Sequence, residues 1–200
     1  MTDRASFIAE RRDRLIAALT RTDGGALDGV LDILERAWLD DRFVLLAGNG
    51  GSAATAEHMN LDLSKTIGRI AGPGRGFRTI ALTHGSALSA WANDLGPEAV
   101  FSGQVRDLGR AGDILVVLSA LGNSDNVIDA VRAARDLGLH TIAFLGAGGG
   151  LTRELVDVAI VVDSDDYGII EDTHLALGHF VTDYFAEWAR EPRVRGVKPS

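Results

Sequence analysis

Phe43-Val44-Leu45-Leu46-Ala47-Gly48-Asn49-Gly50-Gly51-Ser52 is the stretch from which the rest of the chain can be read. Its first five residues are apolar without alternation, the pattern of a strand covered on both faces. Its last five are glycine or small and polar, the composition of a tight turn. A helical pattern follows over Ala53–Leu63. Strand, glycine-rich turn and helix in that order make the first half of a βαβ unit. Four more apolar runs repeat the strand signal, at Thr79–Thr83, Ile114–Leu118, Thr141–Leu145 and Val158–Val162. Helical patterns lie between and after them, most clearly over Asn126–Leu137 and Ile170–Trp188. The expected fold is α/β: a doubly wound, five-stranded parallel sheet flanked by helices.

Ahead of this core, Phe7, Ile8, Leu15, Ile16 and Leu19 recur at helical spacing, as do Leu27, Val30, Leu31, Leu34 and Trp38. Thr22-Asp23-Gly24-Gly25 separates the two stretches, so a helical hairpin is expected over residues 5–40. The α/β core then covers 42–189. Residues 190–200, with Pro192 and Pro199, read as a loose end. The whole chain, 1–200, is expected to form one domain. Hydrophobic content of 46% and charged content of 24% are those of a globular protein. The absence of cysteine excludes disulfide frameworks and thiolate metal sites. A net charge of −8 argues against a nucleic-acid partner, which calls for Lys and Arg against phosphates. No apolar signal core follows Met1 and no run approaches the ~20 apolar residues of a membrane span. A cytoplasmic protein without a membrane partner is expected.

The turn after Ala47 has an echo. Ile114–Leu118 runs into Ser119-Ala120-Leu121-Gly122-Asn123-Ser124 and then into a helix. Two such turns in one parallel sheet fall at the carboxyl ends of its strands, where open α/β sheets bind ligands. Glycines let backbone N–H groups approach a ligand, and the following helix adds its own unpaired N–H groups and positive dipole end. Ser52, Ser119 and Ser124 add hydroxyls, so a phosphate group is the natural occupant. A tight turn with no ligand uses the same residues, but its duplication weighs against that reading. Gly-x-Gly-x-x-Gly is not met, because Ala53 falls at the third glycine, and no Gly-Lys-Ser/Thr occurs.

Ionisable residues gather on two helices. His58 and Asp62 are four apart and share a face. Glu171, Asp172, His174 and His179 lie on the last helix, where acids also suit a solvated first turn. Gly178-His179 sits amid Leu175, Leu177, Phe180 and Val181, which brings an imidazole to the margin of a buried face. Asn93-Asp94, in Trp91-Ala92-Asn93-Asp94-Leu95-Gly96, reads as a helix stop near the ligand edge of the sheet.

Taken in order, Gly48-Asn49-Gly50-Gly51-Ser52-Ala53, Glu57-His58, Ala92-Asn93-Asp94-Leu95-Gly96, Gly122-Asn123-Ser124 and Gly178-His179 resemble the sugar isomerase (SIS) domain family, within it the phosphoheptose isomerases. The likeness runs from about Leu15 to Phe185. It implies a flavodoxin-like fold and conversion of sedoheptulose 7-phosphate to D-glycero-D-manno-heptose 7-phosphate. It further implies a homotetramer with sites at subunit interfaces, and an acid/base pair at Asp62 and His179. One zinc ion per subunit, held by His58, Asp62, Glu171 and His179, is implied as in some members. Asn49, Gly50, Gly51, Ser52, Asp62, Asn93, Asp94, Ser119, Ala120, Leu121, Ser124 and Glu171 match substrate-contact positions. Aldose–ketose interconversion needs this chemistry, since a base takes a proton beside the carbonyl and an acid returns one through an enediol. Glu171 and His179 are roughly 12 Å apart along a straight helix at ~1.5 Å per residue. They can share a site only if Glu171 precedes the regular helix, if the side chains converge, or if neighbouring subunits contribute one each.

Three positions depart from the family pattern. Asp62 stands where Glu is usual and is one methylene shorter. Ser119-Ala120-Leu121-Gly122-Asn123-Ser124 replaces the usual Ser-Thr-Ser-Gly-Asn-Ser, losing two hydroxyls at the expected phosphate. Glu171 replaces Gln and adds a negative charge. The departures leave open a different sugar phosphate, another SIS activity, or a relative that binds without catalysing.

Overall fold

The computed structural model describes residues 3–191. Five parallel strands form the sheet: β1 (Phe43–Gly48), β2 (Arg78–Ala81), β3 (Ile114–Ser119), β4 (His140–Gly146) and β5 (Val158–Val162), in the order β2-β1-β3-β4-β5. Val44 pairs with both Thr79 of β2 and Ile114 of β3, so β1 is interior. This order is flavodoxin-like, and its direction reverses between β1 and β3, where such sheets bind their ligands.

The unalternated apolar strands are explained by two cores. Val44 and Leu46 of β1 face a core with Leu34 and Trp38 of α2 (Gly24–Leu39), Met59 of α3 (Gly50–Leu61), and Leu177, Val181 and Phe185 of α9 (Tyr167–Trp188). Leu45 and Ala47 face the opposite core, with Phe101 and Val105 of α6 (Ala99–Leu108) and Val127, Val131 and Ala134 of α7 (Asp125–Leu137). Successive side chains of a strand point to opposite faces, so both faces must be apolar when helices cover each. The edge strand β2 is exposed at Arg78 and Ile80. It ends at Ala81, before the expected Thr83, although the Leu82 N–H still donates to the Leu46 carbonyl at 2.8 Å.

The expected hairpin is α1 (Arg4–Thr20) and α2. Asp3 and Asp23 cap the two helices with their side chains. Helix α2 buries Val30, Leu34, Ala37 and Trp38, whereas α1 buries Ala18 alone. Helix α1 is held to the start of α9 by Arg11 and Arg14, both paired with Asp166, and it leaves Phe7, Ile8 and Ile16 exposed. The Arg11 guanidinium holds the Asp166 carboxyl below its usual range.

Helix α3 starts at Gly50, three residues earlier than the apolar pattern indicates, because the glycines form its first turn behind Asn49. It passes at Asp62 into a π-helical turn, Asp62–Thr66, before the short α4 (Ile67–Ala71). Opposite that turn, the Phe77 N–H donates to the Leu63 carbonyl at 3.1 Å. Two shorter connections, α5 (Gly85–Leu95) between β2 and α6, and α8 (Gly150–Leu155) between β4 and β5, complete the chain. Of the expected loose end, Arg190 and Glu191 follow α9 directly, and residues 192–200 lie outside the described residues.

Candidate functional site

Helices α3 and α9 pack side by side. Their mutual register follows from three contacts: Glu171 against Gly51, Gly178 against Met59, and His179 against His58. The pair is parallel, with a cluster of polar side chains at each of its two ends.

At the far end of α3, His58, Asp62 and His179 converge. His58 and Asp62 share a face because they are four apart, and α9 supplies the third group. The Nε2 atoms of the histidines are 3.1 Å apart, with rings nearly perpendicular at 72°. Asp62 Oδ2 lies 3.4 Å from His58 Nε2 and 3.9 Å from His179 Nε2. Its Oδ1 accepts a hydrogen bond from the Thr66 hydroxyl at 3.2 Å. Two imidazole nitrogens and a carboxylate oxygen that face one another need a proton or a cation among them. Tetrahedral zinc with ligands at ~2.0–2.2 Å requires ligand atoms roughly 3.3–3.5 Å apart. The observed spacings bracket that range, and two histidines with one carboxylate is a set that catalytic zinc uses, leaving one position open. The residues therefore fit the metal.

At the near end lies a cavity of about 110 Å³, lined by Asn49, Ser52, Ser119, Ala120, Leu121, Ser124, Tyr167 and Glu171. This is well below the ~300 Å³ that encloses a whole small-molecule ligand, and it suits a single phosphate-sized group. It sits over the first turn of α3 and the N-terminus of α7. Asn49 and Ser124 precede those helices without capping them through their side chains. Ser124 thus keeps its hydroxyl for the cavity, whereas Asn49 is engaged by Asn126 in a reciprocal amide pair at 2.9 Å. The Ser119 hydroxyl accepts from the Gly122 N–H at 3.1 Å and closes the β3–α7 turn on itself.

That turn is locked from outside. A β-carbon on Gly122 would collide with the Gly149 carbonyl, and one on Gly150 would meet Leu121 and Asn123. The Thr152 N–H and hydroxyl both donate to the Gly122 carbonyl, at 3.0 and 2.8 Å. The Leu151 N–H donates to Asn123 Oδ1 at 2.9 Å. The β4–α8 connection therefore fixes the shape of the β3–α7 loop.

Within this subunit the four-residue metal set implied by resemblance is divided. His58, Asp62 and His179 meet, while Glu171 belongs to the other end. It lies within the regular part of α9, so the two-turn separation from His179 is not bridged. Its carboxylate lies over Gly51, and a β-carbon there would have to push it aside. Asn93 and Asp94 occupy the last turn of α5, exposed, with Asn93 Nδ2 donating to Asp94 Oδ1 at 2.8 Å. Gly96, at φ 95°, caps the helix behind them. Within this subunit they reach neither the cavity nor the histidines.

His174, grouped with His179 by sequence, is buried under β4. Its Nε2 lies 3.1 Å from the Leu145 carbonyl, to which it donates, and its Nδ1 has no partner. Burial pushes its pKa down to about 4, so the ring is neutral and serves packing. Sequence reasoning missed Tyr167, which lines the cavity from the first position of α9, and Thr66. A hydroxyl four residues after Asp62 was the only available signal for Thr66. Among the described residues, no helix is long and apolar enough to cross a membrane.

Comparison with known proteins places the chain in a family. Residues 7–146 match the SIS domain. The phosphoheptose isomerase of Chlorobaculum parvum is 39% identical over 176 residues, 85% of this chain and 82% of that protein. That of Aliarcobacter butzleri is 45% identical over 139 residues, 69% of this chain and 72% of the relative. The solved structure of phosphoheptose isomerase from Neisseria gonorrhoeae is 34% identical and superposes with a TM-score of 0.83, covering 92% of this chain and 98% of its own. With its 2-1-3-4-5 sheet and its two strand–loop–helix turns at the reversal point, the chain belongs to the SIS-domain family, among the phosphoheptose isomerases.

Proposed function

We propose that this protein, read as one SIS domain, interconverts ketose and aldose phosphates. Its proposed substrate is sedoheptulose 7-phosphate and its product D-glycero-D-manno-heptose 7-phosphate. The observation that carries the reading is the separation of the two ends of the α3–α9 pair, with the loop cavity at one and the ionisable cluster at the other. Gly51 to His58 and Glu171 to His179 both correspond to roughly 10–12 Å at ~1.5 Å per residue. An extended seven-carbon chain, with six carbon–carbon bonds of ~1.5 Å in zig-zag plus its phosphate ester, spans on the order of 10 Å. A phosphate in the loop cavity thus brings C1 and C2 to the ionisable cluster.

There Asp62 takes a proton from C1 of the ketose. His179 carries a proton from the C1 hydroxyl to the C2 oxygen as the enediol forms and collapses. Asp62 then returns its proton to C2, which completes the aldose with no net gain or loss of protons. In a zinc-loaded form His58, Asp62 and His179 would instead hold the ion, which would supply Lewis-acid polarisation of the carbonyl in place of the proton transfers these atoms make in the metal-free form. Ser52, Ser119 and Ser124 orient the phosphate. The exposed Phe7, Ile8 and Ile16 of α1 support assembly into a homotetramer, since they are large apolar side chains that the subunit leaves uncovered.

The test is a panel of five-, six- and seven-carbon ketose phosphates, followed by NMR for aldose product with and without added zinc. Turnover is expected to favour the seven-carbon substrate at least ~10-fold over the five-carbon one, whose shorter chain cannot span both ends. Phosphosugar binding without turnover on any member would replace the enzyme by a binding protein.

A further inference from the structure

We infer that Thr66 is a positioning residue for Asp62, its hydroxyl holding one carboxylate oxygen so that the other stays aimed at His58 and His179. The inference rests on the reading of Asp62 as ligand and base.

The first observation is how the carboxylate is divided. Asp62 is short, and both histidines meet the same oxygen, Oδ2, at 3.4 and 3.9 Å. Rotation about the last side-chain bond would exchange the two oxygens, and that torsion has only a broad, two-fold preference of its own. The Thr66 hydroxyl breaks the symmetry by donating to Oδ1 at 3.2 Å. With its side chain 18% exposed, Asp62 has little water to perform the same service.

The second observation is independent, and concerns what hydroxyls do elsewhere in this molecule. Thr20, Thr22, Thr55, Ser64, Thr173 and Thr182 all donate to the backbone carbonyl four residues back. That is the habitual bond of a helical Ser or Thr. Thr66 donates instead to the side chain four residues back. It closes the π-helical turn that Asp62 opens, and in that turn the Asp62 carbonyl accepts the Ile67 N–H, five residues on. In this turn the Thr66 hydroxyl meets the carboxylate of Asp62 and not its carbonyl. π-Helical turns inside α-helices concentrate at functional sites, and this one carries a proposed base at its first residue and that base's holder at its last.

Groups that orient a metal ligand typically influence metal affinity 10–100-fold. Thr66→Val keeps the shape and removes the hydroxyl, whereas Thr66→Ser keeps the hydroxyl. Cobalt(II) titration of the substrate-free protein, read by visible absorption, and zinc titration by calorimetry report the cluster without turnover. Thr66→Val is expected to weaken both ions at least ~10-fold and to lower kcat with KM little changed, with Thr66→Ser within about threefold of the parent. Parent-like ion affinity and kcat in Thr66→Val, or equal weakening in Thr66→Ser, would overturn the assignment. If the parent binds neither ion, the metal reading falls and the kcat comparison alone decides Thr66. If the parent also lacks turnover, both readings fall.

Discussion

At one end of the α3–α9 pair, three ionisable side chains meet at 3.1–3.9 Å, the two histidines half exposed and Asp62 mostly covered. At the other end, a small cavity is walled by loop backbone and short hydroxyls, with Ala120, Leu121 and a carboxylate intruding. On the proposed reading the first is the reacting end, carrying the acid and base that isomerase chemistry needs. On that reading the cavity is the anchoring end. Catalytic geometry tolerates little error, since a misplacement of ~1 Å can cost ~10²-fold, whereas an anchor is graded by free energy and can be weakened in steps.

The comparison breaks most sharply at His179. Replacing it with Ala is expected to lower turnover by ~10²–10⁴-fold while the fold is kept, because an acid/base group contributes that much and this one is on the surface. Steady-state kinetics alongside circular dichroism check both halves, and retained turnover would remove His179 from the mechanism.

Between the two ends, His174 ties α9 to β4. Its folded pKa of about 4 lies below the ordinary 6.5, so the unfolded chain binds the extra proton between those values. Its contribution is complete above pH 6.5 and is lost as pH falls toward 4, by on the order of 3 kcal/mol. Urea unfolding across that window should show the decline, and His174→Gln should flatten it. An unchanged slope in the variant would assign the decline to other groups.

The anchoring end is sharpened by Glu171→Gln, an isosteric change that the crowding over Gly51 permits. Removing a negative charge beside the cavity is expected to tighten inorganic phosphate about tenfold, measured by calorimetry, in line with the ~1.5–3 kcal/mol attached to charged hydrogen bonds. Weaker binding would instead make Glu171 a partner of the anion through a proton or metal.

Much of this architecture was legible in the sequence. Unalternated runs such as Val44–Ala47 and Leu115–Leu118 marked strands covered on both faces, and their order with the helices gave the doubly wound sheet. His58 and Asp62 could be paired by spacing alone. The two histidines of α9 could in principle be told apart: Ile170 and Leu177 flank His174 at four and three residues, whereas Asp183 follows His179 by four. The aim of Glu171 could not be read, because eight residues along a helix turn a side chain only ~80° beyond two full turns, so neighbouring faces are not distinguished. The π-helical turn left no mark in Asp62-Leu63-Ser64-Lys65-Thr66, all ordinary helix residues. Residues distant in sequence pack against it, with Gly76 on the Ser64 carbonyl too closely for any side chain and the Phe77 N–H on the Leu63 carbonyl.

The interlock of Gly122 with Gly149 and Gly150 has a consequence for rates. A loop that must order itself around its ligand slows capture and spends binding free energy on its own entropy. Here the β3–α7 loop is already bolted to its neighbour. Capture of a phosphate should therefore proceed in a single diffusive step, and changes at Ala120 or Leu121 should alter how long the anion stays far more than how fast it arrives.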